Sequence, residues 1–195
     1  MKKQLIIVLM ALIFLSACKS SKKVSDQGGT TPSSADTGAV KENQNTDIGA
    51  MLDQIASEIK TTLKDVEVSR TKEGVLVTFD PQVSFNTDSY QLKPKAKKNI
   101  ESLGTIMKKY EATHISISGH ADSTGVQANN LRLSQDRADA FATELKSYAL
   151  ASQRLETVVG YGAAKPKATN KTAEGRRANR RIDGLITINE KDLKR

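Results

Sequence analysis

A chain of 195 residues with 37% hydrophobic and 4% aromatic residues has room for one domain of ordinary size plus attachments, and its composition excludes a polytopic membrane protein. Lys and Arg number 30 against 22 Asp and Glu, giving +8, a balance that by itself would suit nucleic acid. A single Cys excludes both an internal disulfide framework and a Cys-based zinc cluster. The chain opens with Lys2 and Lys3, runs apolar from Leu5 to Leu15, and reaches the small residues Ser16 and Ala17 before Cys18. That order predicts a secretory leader over residues 1–17. The apolar run is too short for a permanent transmembrane helix, which needs roughly 20 residues. Export removes the setting in which the basic charge would meet nucleic acid, and the scarcity of aromatics argues the same way. No nucleic-acid partner is expected.

Leu15-Ser16-Ala17-Cys18 resembles the lipobox of bacterial lipoproteins, in which the Cys is acylated and becomes the first mature residue. The resemblance implies a lipid anchor on Cys18, palmitate among its acyl chains, strong enough to hold where one chain alone would not. Lys19 and Ser20 follow, with no Asp at the position that retains many such proteins in the inner membrane. The implied location is the outer membrane, with the remainder facing the periplasm. Loss of the leader takes the charge from +8 to +6, since Lys2 and Lys3 go with it. Residues 18–46 comprise this Cys and a linker rich in Ser, Thr, Gly, Asp, Asn and Lys, predicted to be a disordered tether with a reach of roughly 30 Å.

Thr46 or Asp47 suits a helix N-cap, and Ile48, Met51, Leu52, Ile55, Ile59 and Leu63 recur at helical spacing, predicting an amphipathic helix over 47–64. Strands are predicted at 66–69 and 75–79 across a turn at Lys72-Glu73-Gly74. After Asp80-Pro81, a helix opens at Pro94 with the stripe Ala96, Ile100, Leu103, Met107 and Tyr110. A short strand around Ile115 and Ile117 follows, then a helix over 129–149 with Leu131, Ala138, Phe141, Ala142, Leu145 and Ala149 facing the core. A strand at 155–160, a polar basic loop over 164–179 and a strand from Arg180 to Ile188 complete the chain. In that last strand Arg180 would share the helix-facing side with Ile182, and Arg181 the opposite side with Asp183. The predicted class is α+β. Its architecture is a two-layer sandwich of β-α-β-α-β-β order, a mixed sheet with helices on one face, in a domain spanning 65–195.

Spacing places Asn130, Ser134 and Arg137 on one side of the 129–149 helix, bordering its apolar stripe, with the Asp122 loop feeding into the helix start. From spacing alone, Asp122 reads as a turn-capping residue and Arg137 as a surface partner of Asp136 or Asp139. Three further runs alter the weighting. Ile117-Ser-Gly-His-Ala-Asp-Ser-Thr-Gly125 with Asn130, Leu133-Ser134 and Arg137-Ala138 resembles the OmpA-like peptidoglycan-binding domain. Glu174-Gly-Arg-Arg-Ala-Asn-Arg-Arg-Ile182 does so too and, more loosely, Phe85-Asn-Thr-Asp-Ser-Tyr-Gln-Leu-Lys-Pro94. The likeness covers residues 75–190 in the family's order and, behind a lipobox, resembles a Pal-type lipoprotein.

The resemblance implies a ligand, the diaminopimelate stem peptide of peptidoglycan. It assigns Asp122 and Arg137 to the binding pair, Thr124, Asn130 and Arg180 to secondary contacts, and Asp88 more loosely. The chemistry fits those residue types. Diaminopimelate ends in a centre bearing an ammonium and a carboxylate; an Asp accepts from the first, and an Arg offers the second a planar bidentate donor that Lys cannot. Ala121 stands where the family often has Thr, which removes one polar contact but not the charge pair.

The expected function is a non-catalytic tether between outer membrane and cell wall. The alternative is a periplasmic protein-interaction module of a Pal-type envelope complex, with helix 47–64 as an added interface. A wall hydrolase is not expected: no Ser-His-Asp order or Glu pair stands out, and His114 and His120 flank strand positions with no third ligand at metal spacing. No cofactor or metal is expected. Lys171 and four arginines against Glu174 concentrate +4 within residues 171–181, which suits an anionic wall polymer.

Overall fold

The computed structural model describes residues 38–86, 88–148 and 152–193, with side chains from residue 47 onward. The leader, the lipobox with Cys18 and the linker as far as residue 37 lie outside the described residues. No helix among the described residues is long and apolar enough to cross a membrane. Helix α1 covers Gly38–Thr62, and strands β1 (Val66–Arg70) and β2 (Val75–Phe79) follow it as a hairpin. Next come α2 (Pro81–Ser84), α3 (Pro94–Lys109), β3 (Thr113–His120) and α4 (Gln127–Ser147). A 3₁₀ turn at Ser152–Arg154, β4 (Leu155–Gly160), α5 (Ala173–Asn179) and β5 (Arg181–Ile188) finish the domain.

The five strands form one mixed sheet in the order β1-β2-β5-β3-β4. All neighbours are antiparallel except β3 and β4, whose parallel pairing needs a crossover that α4 supplies. Alternation along the strands puts Val75, Val77 and Phe79, Ile115 and Ile117, and Ile182 and Ile186 on one face, all buried. Helices α1, α3 and α4 cover that face with Ile55 and Ile59, Ile100, Leu103 and Met107, and Phe141 and Leu145. Phe79 and Phe141 meet edge to face at 4.8 Å. Helix α1 is fastened to α3 by Glu58, which accepts from Lys109 Nζ and Tyr110 Oη, both at 2.9 Å. Two bonds between the Asn99 amide and the Lys64 backbone continue the seam.

At Ser134 and Gln135, helix α4 meets β3 and β4 with almost no side chain between backbones. A Cβ on Gly119 would stand 2.1 Å from Ser134 O, and one on Gly160 would stand 2.3 Å from Gln135 N. Gly160→Ala is therefore expected to cost about 1–3 kcal/mol through forced separation of α4 from the sheet, read as a lower urea midpoint.

Several boundaries differ from the sequence expectations, each for a physical reason. Helix α1 begins at Gly38, inside the segment predicted as disordered tether, because a helix nucleated by its apolar half extends through Pro-free residues without an apolar stripe of their own. Segment 164–179 is not all loop. Residues 173–179 form α5, capped by the Thr172 hydroxyl accepting from Gly175 N, and only Gly175 and Asn179 are buried along it. Such a helix has no hydrophobic periodicity to read. Arg180 is its C-cap, so β5 starts one residue later than predicted. Leu131, expected in the core, is 51% exposed, and Ala149 lies outside the described residues. At the level of Leu131 the apolar layer has ended and a polar cleft begins.

The reverse face of the sheet holds both histidines. His114 Nε2 lies 2.8 Å from Asp192 Oδ2, and His120 Nε2 lies 3.3 Å from Asp183 Oδ2 with its ring stacked on Tyr161. Arg181 Nε also donates to Asp183, at 2.9 Å, so Arg181 and Asp183 share the reverse face as alternation predicts.

Candidate functional site

The end of the apolar layer opens into a cleft of about 780 Å³. One wall is the α2–α3 connection, from Phe85 to Lys93; the other is the β3–α4 loop with the first turns of α4, and Arg180 closes one end. Asp88, Asp122, Thr124, Asn130, Arg137 and Arg180, dispersed over 93 positions of sequence, all line it. Arg132 and Lys93 add two more cations, so positive groups outnumber the two carboxylates.

Asp122 sits two residues beyond β3 and is 5% exposed. Its Oδ1 accepts from Thr124 N at 2.8 Å and from the Thr124 hydroxyl, an Asx turn that the short loop forms by itself. Its Oδ2 accepts from Arg180 Nη1 at 2.5 Å. Burial would raise the Asp122 carboxyl, but the Thr124 bonds and the Arg180 charge outweigh it and hold the group below its ordinary value. It is a carboxylate at any physiological pH.

Arg137 projects from the end of the third turn of α4 and is 8% exposed. It pairs with neither Asp136 nor Asp139; those residues engage Arg132 and Gln135. Its Nε donates to Ser89 O at 2.9 Å, and its guanidinium lies over the Phe85 ring at 5.3 Å. These contacts fix the plane of the group through Nε and one face. Nη1 and Nη2 make no hydrogen bond within the described residues. Burial lowers the proton affinity of the guanidinium, Asp88 raises it, and Arg180 lowers it further; the net shift is downward, and the group stays charged. Asp88 takes a left-handed backbone with φ 49°, a conformation that Asp tolerates better than most residues.

Asn130 lines the cleft and also braces its loop. Its Nδ2 donates to Asp122 O at 3.1 Å and to Thr124 O at 2.7 Å, lacing the loop to α4. Ser134, on the same side of the helix, is buried and bridges Leu131 O to Gly162 N, so it belongs to the packing of α4 on the sheet. Sequence reasoning missed Phe85, Ser89 and Asn170 as supports of the site. Phe85 stands in a quoted motif and could have been found as a ring able to carry an Arg; Ser89 acts through its carbonyl, and Asn170 donates no pattern at all.

Comparison with known proteins adds the lineage. Residues 84–180, which include all six of the site residues named from the sequence, match the OmpA family. Those residues form an OmpA-family domain. That is the peptidoglycan-binding family which the sequence motifs resemble. The OmpA-like chain is 33% identical over 138 residues to "Probable lipoprotein YiaD" of Escherichia coli, covering 70% of this chain and 63% of that protein. The chain thus spans less than two thirds of that relative. Among solved structures, the cell wall anchor of the T6SS from Pseudomonas aeruginosa superposes with a TM-score of 0.59 at 26% identity, covering 71% of this chain and 97% of that one. The periplasmic domain of Helicobacter pylori MotB gives a TM-score of 0.59 at 22% identity over 69% of this chain and 88% of that one, a likeness of fold.

Proposed function

We propose that this chain is a non-catalytic lipoprotein of the outer membrane whose OmpA-like domain grips the diaminopimelate end of the peptidoglycan stem peptide. One observation carries the reading: two opposite charges, Asp122 and Arg137, each more than nine-tenths buried, line a single open cleft, and the Nη atoms of Arg137 have no protein partner among the described residues. Burying charges is costly unless something pairs them, and a zwitterion with its ammonium at Asp122 and its carboxylate at Arg137 pairs both at once. Thr124 and Asn130 hold the loop for that contact, Arg180 shares the Asp122 carboxylate, and Asp88 faces Arg137 across the cleft. The relatives agree in kind, one described as a lipoprotein and one as a cell wall anchor. Cys18 in its lipobox would supply the membrane end of the tether and the cleft the wall end.

Purified chain is expected to sediment with isolated sacculi and to be released by a soluble muropeptide bearing free diaminopimelate. A muropeptide in which the distal carboxylate is amidated should release it at least tenfold less effectively, because the amide surrenders a charge-assisted pair worth about 1.5–3 kcal/mol. Equal release by both would overturn the assignment of Arg137. A second reading, docking of a periplasmic protein on the same face, is favoured by Val126 at the cleft rim, 62% exposed, and by the exposed Tyr90. Pull-down that the muropeptide abolishes would place such a partner on the cleft.

A further inference from the structure

The basic segment 164–179 looks in sequence like a solvated loop, yet its Asn170 and Asn179 form a chain of hydrogen bonds that ends on the binding loop. Asn179, at the C-terminal end of α5, is fully buried. Its Oδ1 accepts from Lys167 N and Ala168 N, both at 2.8 Å, and its Nδ2 donates to Ala168 O at 2.8 Å and to Asn170 Oδ1 at 2.9 Å. All four bonding positions of that amide are therefore used on one short stretch of chain. Asn170 Oδ1 in turn accepts from Ser123 N at 3.1 Å. Arg176 Nη1 donates to Asn170 O at 3.0 Å and fixes the backbone of the same residue. Neither Asn170 nor Asn179 lines the cleft.

We propose that Asn170, held by the buried Asn179, is a positioning residue: its side-chain oxygen fixes the Ser123 amide and so presets the Asp122 carboxylate for the ligand's ammonium. The proposal rests on the peptidoglycan reading above. Its physical basis is ordering cost. Ser123, Thr124 and Gly125 are exposed, and Gly125 has φ 78°, so this loop has little packing of its own. A loop that is already ordered spares the ligand that entropy on binding. Asn130 holds the loop from the α4 side through its carbonyls, and Asn170 holds it from the α5 side through the one amide between Asp122 and Thr124.

The chemistry offers a conservative control. Asn170 uses only its oxygen in these contacts, so Asn170→Asp retains the acceptor for both Ser123 and Asn179, whereas Asn170→Ala removes it. With the full chain, a muropeptide bearing free diaminopimelate is titrated calorimetrically, and exchange of the Ser123 amide proton is followed by NMR. Asn170→Ala is expected to bind about 3- to 10-fold more weakly and to exchange Ser123 faster, with a lowered unfolding midpoint because the buried Asn179 Nδ2 loses an acceptor. Asn170→Asp should stay within about twofold of wild type in both readings. Wild-type affinity in Asn170→Ala, or equal loss in the Asp variant, would overturn the proposal. If the wild-type chain bound no muropeptide, the wall reading would fail, and the exchange at Ser123 in the two variants would still decide whether Asn170 holds the loop.

Discussion

Arg137→Ala is expected to weaken binding of a diaminopimelate muropeptide by about 2–5 kcal/mol, at least thirtyfold, and to leave the chain in the supernatant when sacculi are pelleted. The loss is large because the site that remains is worse than neutral. Asp122 would still hold the ammonium, but the ligand carboxylate would enter a desolvated pocket with no donor aimed at it. Arg180 does not substitute, since its Nη1 is already committed to Asp122 Oδ2. The fold should survive, because Arg137 spends only Nε on the protein, at Ser89 O, and lays one face on Phe85. A drop in stability of about 1 kcal/mol matches the loss of that bond and stacking contact. Arg137→Lys should bind nearly as poorly as the Ala variant. An ammonium can reach Ser89 O or the ligand, but it cannot hold the first while presenting two parallel donors to the second. Retention on sacculi by either folded variant would remove Arg137 from the site.

The parts of this arrangement that were legible in the sequence share one property: a periodic apolar signal. Val75, Val77 and Phe79 alternate, and Ile100, Leu103 and Met107 recur at helical spacing, so the hairpin and α3 were readable, and so was the layer they form. Helix α5 buries only a glycine and an asparagine, which no hydropathy pattern reveals. The stripe of α4 misled at Leu131 because periodicity continues past the point where the opposing layer stops. At the cleft, the sequence named the residue types but not how each is spent. Asn130 lies on the correct side of α4, yet its Nδ2 is spent on Asp122 O and Thr124 O. Arg180 reaches Asp122 from a helix cap, not from a strand, across 58 positions of sequence. Contacts of that range depend on how α5 packs, and Ser89 takes part through a backbone carbonyl that any residue would provide.

Asp122→Asn tests the other half of the pair, and its consequences divide by pH. At neutral pH the substitution should weaken muropeptide binding by about 2–5 kcal/mol, since a neutral amide cannot balance the ligand's ammonium. It should also destabilise the free domain by about 1–3 kcal/mol, because the Arg180 guanidinium loses its carboxylate and meets an amide in its place. The native carboxyl is held below its ordinary value of 3.8, so the stability it adds is complete above that value and disappears as pH falls through the lower folded value. The gap in urea midpoint between wild type and Asp122→Asn is thus expected to be constant from neutrality to about pH 5 and to close only below pH 3.8. Binding should follow the same course in wild type and persist at pH 5, because a bound ammonium favours the ionised carboxylate still further. A gap that closed near pH 6 would mean that the Thr124 bonds and Arg180 do not control the Asp122 proton. A variant that bound muropeptide normally at neutral pH would mean that the ammonium is held elsewhere.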